Sequence, residues 1–141
     1  MKKNLLILIG LSMILLGDFS RSSGVVIDSV SRLEWQDDGT YDGGYRDRKW
    51  EFDIDYCENL ELDGGGWRLP NINELISIVD DTQYRPAISP VFQYLSFMEY
   101  WSSTSYSLGG MAAWGISFSS GSIFYRDKDE DYCVMCVRGG Q

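Results

Sequence analysis

The chain has 141 residues, enough for one domain of ordinary small size, with 21 acidic and 12 basic side chains, three cysteines and no histidine. A net charge of −9 repels nucleic acid and other polyanions. The lack of histidine removes Ser/His/Asp and Cys/His nucleophilic arrangements and the usual zinc sets, so enzyme chemistry is narrowed to what carboxylates can do.

Lys2 and Lys3 precede an apolar run from Leu5 to Leu16, too short for a mature membrane span and of the length of a secretory h-region. Residues 1–22 therefore read as a signal peptide, with cleavage expected after Ser22, where Ser20 and Ser22 are the small residues, or after Gly24. Asp18 stands after Leu15-Leu16-Gly17, where a lipid-modified cysteine would be, so no stable membrane anchor is expected after cleavage. Losing three cations and one carboxylate with residues 1–22 would move the net charge from −9 to −11. The acidic surface suits solubility in the periplasm or outside the cell. In an exported chain three cysteines imply one disulfide and one thiol left over.

Val25 to Ser31 alternates as a first strand, with Leu33 and Trp35 continuing its period of two. A glycine-broken loop, Asp37 to Arg48, leads to a helix from Trp50 to Leu60 with Trp50, Ile54, Cys57 and Leu60 on one side. The turn at Asp63 to Gly66 feeds Trp67-Arg68-Leu69-Pro70, where Pro70 holds Leu69 extended. A second helix starts at Asn71, an N-cap with Glu74 placed for a capping box, and its apolar stripe is Ile72, Leu75, Ile76 and Val79. Pro86 and Pro90 mark a packed loop anchored by Phe92, Tyr94, Leu95 and Phe97. Tyr100 to Tyr106 reads as a strand. Trp114, Ile116 and Phe118 alternate in another, and Ile123 to Arg126 returns after a turn around Gly121. An acidic tip, Asp127 to Asp131, precedes a last strand from Tyr132 to Arg138. The expected class is α+β, two short helices with a C-terminal antiparallel meander.

Taken together, Val26 and Asp28, Leu33 and Trp35, Trp50/Ile54/Cys57, Trp67 to Leu75, Pro86 to Ile88, Tyr100 to Thr104, Ala113 to Phe118 and Cys136 to Gly139 resemble the bacterial DUF1566 domain. This is the C-terminal domain type of the Legionella collagen-like adhesin. The resemblance covers nearly all of a single domain spanning 25–140, with Met135 standing where many members have an arginine. It implies a C-type-lectin-like fold, two short helices packed on a loop-rich antiparallel sheet with N- and C-terminal strands adjacent. It also implies an exported recognition or adhesion module for a glycan or protein ligand on a cell surface. Glycosaminoglycan binding, attached to the namesake, fits poorly with the acidic balance. A structural subunit of an envelope complex is the alternative. An enzyme ranks last, although the formylglycine-generating enzymes share this broad fold.

By the same resemblance Cys57 and Cys136 are the disulfide pair, and Cys133 is the leftover thiol, since strand neighbours three apart face opposite ways. Asp127, Asp129 and Asp131, and likewise Asp37, Asp38 and Asp42, could supply oxygens to Ca²⁺, but neither loop has the EF-hand pattern. Both are read as solvated acidic turns, and no metal or cofactor is expected. Ser102, Ser103 and Thr104 behind Trp101 are read as buried framework donors and acceptors. Tyr41, Tyr45 and Tyr125 are the candidate ligand contacts.

Overall fold

A computed structural model describes residues 18–40, 49–95 and 98–140. Seven strands and two α-helices alternate as β1 (Phe19–Ser22), β2 (Val25–Asp28), β3 (Leu33–Gln36), α1 (Trp50–Glu58), α2 (Ile72–Ser77), β4 (Glu99–Ser105), β5 (Ala112–Ser117), β6 (Ser122–Asp127) and β7 (Val137–Gly139). They form two antiparallel sheets, β1-β2-β3-β7 and β4-β5-β6, so the class is α+β. The C-terminal strand lies beside β3 of the N-terminal hairpin, Leu33 opposite Gly139 and Trp35 opposite Val137.

Both sheets carry apolar side chains on two faces, which splits the interior into two clusters. One gathers Val26, Trp35, Leu75, Ile78, Tyr100, Ile116, Phe118, Cys133 and Met135. The other gathers Val25, Cys57, Trp67, Leu69, Trp101, Ala113, Val134 and Cys136. Sequence neighbours such as Val25/Val26 and Tyr100/Trp101 part to opposite clusters because strand side chains alternate.

Several elements depart from the sequence reading. Val25 to Ser31 is not one strand: β2 stops at Asp28, whose carboxylate accepts from the N–H of Val30 and the hydroxyl of Ser31 and so folds the turn into β3. β1 lies inside the stretch assigned to the leader and pairs with β2 in register, Phe19 opposite Asp28 and Ser22 opposite Val25. α2 ends at Ser77, so Ile76 is turned 43 % exposed while Leu75 and Ile78 take the core positions. β4 has a register irregularity between Trp101 and Ser105, and Tyr100, Trp101 and Ser102 are all buried because both faces of the strand are covered there. The last strand is only Val137–Gly139, and it leaves the meander of β4, β5 and β6 to join the other sheet. Phe97 of the expected loop anchors lies outside the described residues.

Candidate functional site

The most distinctive motif builds the frame. Asn71 caps α2 by accepting from the Glu74 N–H at 2.8 Å, and Glu74 returns a bond to the Asn71 N–H at 2.9 Å. Arg68 grips the same carboxylate with two bonds of 2.6 and 2.7 Å and also donates to the Gly139 carbonyl. Burial alone would raise the Glu74 carboxyl, but the Arg68 and Asn71 hydrogen bonds and the Arg68 charge outweigh it and hold it below its usual value. Arg138 is equally committed: it pairs with Glu34 and Asp63, donates to the Asp63 and Gly65 carbonyls, and lies 4.4 Å from the Trp67 ring centroid. These groups are drawn into the frame of the fold.

The hydroxyl run is framework as well. Ser102 Oγ donates to the Trp114 carbonyl at 2.6 Å and accepts from the Thr104 N–H, while Thr104 Oγ1 accepts from the Ile72 N–H at 3.0 Å and ties β4 to α2. Ser103 donates its N–H to the Pro70 carbonyl.

Cys57 and Cys136 form the disulfide, with Cα atoms 5.4 Å apart, and join α1 to the chain just before β7. Cys133 is a buried thiol in the other cluster, so the two cysteines of Cys133-x-x-Cys136 do face apart, although the segment between them is not a strand. Burial, then the charges of Asp53 and Glu99, push the Cys133 thiol up to about 11. Asp53 itself is fully buried on α1, three residues after Trp50 and four before Cys57, on the inward face of the helix.

Among the described residues no group of three or more histidines, cysteines or carboxylates is gathered for a metal ion. Asp127 accepts from the Asp129 N–H in a local turn, and Asp129 faces Lys49 at 3.5 Å. Asp38 accepts from the N–H and hydroxyl of Thr40. Asp37 is no solvated turn residue: its side chain is 1 % exposed, and it binds Arg21 and the N–H groups of Gln93 and Tyr94. Asp42, Tyr41 and Tyr45 lie outside the described residues.

Tyr125, the remaining candidate contact, is 49 % exposed on β6 and belongs to an aromatic group at one end of the second sheet. Its ring stacks on Tyr106 with centroids 4.3 Å apart and planes at 8°, and Trp114 meets both edge-on at 5.4 and 5.5 Å. Register explains the grouping. Trp114 pairs with Tyr125 and Ile116 with Ile123, so all four side chains lie on one face of the sheet. At Ile116 that face is core; at Trp114 and Tyr125 it runs past the packed interior and emerges. Asp127, two residues on along β6, projects to the same side, and the adjoining β4–β5 turn exposes Leu108 and Met111 at 77 and 68 %. Alternation placed Trp114 with Ile116 and Phe118 but carries no record of where coverage stops, so Tyr106 and Trp114 were not legible as surface. A concavity of about 330 Å³ elsewhere is lined in part by Phe19, Ile78, Asp80, Thr82, Gln83 and Pro90. There the Asp80 carboxylate accepts from the N–H and hydroxyl of Thr82.

The aromatic group can offer a flat apolar ring face with a carboxylate beside it, suited to stacking on a sugar ring or packing against an apolar side chain. No curated protein matches the chain. The sequence pattern of the Lcl C-terminal domain matches residues 24–138, which takes in every described strand from β2 to β6, both helices and the disulfide. The chain belongs to the Lcl C-terminal domain family.

Proposed function

We propose that the protein is an exported, non-enzymatic recognition or adhesion module of C-type-lectin-like organisation, whose contact surface is the emergent aromatic end of the second sheet. The observation that carries this is the Tyr106/Trp114/Tyr125 group, ordered by mutual ring contacts yet left open at Tyr125. Exposed, preorganised aromatics lose little side-chain entropy on binding and present both apolar area and a hydroxyl. Family membership supports an adhesin-like role, and a glycan is the ligand that rings beside an exposed carboxylate suit best.

An assembly role is the second reading, favoured by one specific observation: Leu108 and Met111 extend the exposed apolar surface beside the rings. A glycan- and peptide-array screen of the protein, with and without Ca²⁺, compares the two. Capture of glycans that is lost in Tyr125→Ala supports the recognition reading. No captured ligand, with a defined partner retained through Leu108 and Met111, supports assembly.

A further inference from the structure

The N-terminal hairpin changes where the leader is expected to end. Ser23 and Gly24 both have positive φ, 49° and 80°, the two-residue turn geometry that matches the twist of paired strands. Gly24 is required there, because a Cβ at that position would approach the Asp38 Cβ to 2.7 Å. All four residues of β1 are paired with β2, and the Asp18 carbonyl accepts from the Ser29 N–H at 2.9 Å. Phe19 packs edge-on against Phe92, centroids 5.7 Å apart, at the margin of the larger core cluster.

Arg21 is the critical residue. Its guanidinium pairs with the buried Asp37 carboxylate, donates to the Asp37 carbonyl at 2.6 Å and lies 5.4 Å from the Tyr94 ring centroid. Asp37 in turn holds the N–H groups of Gln93 and Tyr94 at 2.7 and 2.9 Å, fixing the loop that follows Phe92. Cleavage after Ser22 or Gly24 would remove Arg21, the cation paired with a carboxylate that is 1 % exposed in the intact fold. Removing one partner of a buried ion pair is among the more destabilising changes a fold can suffer.

We infer that β1 is part of the mature protein and that the leader is released by hydrolysis of the Gly17–Asp18 peptide bond. Water adds across that bond at a signal peptidase, giving a Gly17 carboxylate on the leader and an α-amino group on Asp18. Gly17 is small at the cleavage position, with Leu15 in place of the second small residue of the A-x-A-like pattern, and the apolar run that forms the h-region ends at Leu16. The inference rests on the export reading, so its test must separate the two.

The full chain with a C-terminal tag is expressed in a Gram-negative host, cells are fractionated, and the product is examined by intact mass and N-terminal sequencing. An exported species beginning Asp18-Phe19-Ser20-Arg21 is expected. An exported species beginning at Ser23 or Val25 overturns the inference and leaves the export reading standing. A chain retaining Met1 in the cytoplasm overturns both. Arg21→Ala in the same full chain should lower the midpoint of thermal unfolding by about 5 °C or more. An unchanged midpoint would remove the structural basis of the inference.

Discussion

Arg68 and Glu74 show how a residue pair that looks like a site can be fully occupied by structure. A cation and a carboxylate beside an asparagine, entering a helix from a glycine run, is chemistry that a ligand could use. In the fold the two close on each other and on the cap of α2. Glu74→Gln should cost about 1 kcal/mol in urea unfolding at pH 7, a modest figure because the Arg68 side chain is partly open to solvent. The sign with pH follows from the lowered Glu74 carboxyl. Its contribution is present above the unfolded value of about 4.3 and is lost as pH falls through the lower folded value, so wild type and variant should converge on acidification below it. Cys133 offers a second check at this scale. With its thiol raised to about 11, the folded protein should react with iodoacetamide at pH 8 far more slowly than the urea-unfolded protein; equal rates would contradict its burial. Oddness of the cysteine count foretold a leftover thiol, but only the fold shows the charge of the buried Asp53 acting on it; Asp53, three residues after Trp50 and four before Cys57, falls on the inward face of α1.

At the level of elements, the sequence is most informative where local chemistry and tertiary need coincide. The capping box at Asn71, the face of α1 carrying Cys57 and the turn around Gly121 were all legible because each is specified within a few residues. What misled was context. The hairpin of β1 and β2 was hidden by the apolar leader upstream of it, and the last strand changes sheets through pairing with β3, a partner about 100 residues away that no local period records. The disulfide staples that long return. Replacing Cys57 and Cys136 together by serine should reduce unfolding free energy by roughly 4 kcal/mol on the chain-entropy account, measured by denaturant titration. Gly115 tests the sheet itself. Its Cβ would come within 2.6 Å of the Tyr100 carbonyl and into the Phe124 ring, so Gly115→Ala should lower stability by about 1–3 kcal/mol through overpacking.

For the whole molecule, charge and cation use point the same way. Arg21, Arg68 and Arg138 are spent in internal ion pairs, Lys49 faces Asp129, and Lys128 lies over the Trp50 ring at 3.9 Å. A chain of net charge −9 with these five cations so engaged should pass through a heparin column at about 0.15 M salt; firm retention would show a basic surface strong enough to overcome that charge. The proposed recognition would then rest on apolar and hydrogen-bonding chemistry, which the Tyr106/Trp114/Tyr125 face concentrates. The most direct test titrates a glycan captured on the array against wild type and Tyr125→Ala by calorimetry, with thermal unfolding of both recorded alongside. The account predicts at least a tenfold loss of affinity, about 1.4 kcal/mol, with a cooperative unfolding transition retained and its midpoint lowered by about 5 °C for the lost ring contacts. Unchanged affinity in the folded variant would contradict it and place recognition elsewhere on the molecule.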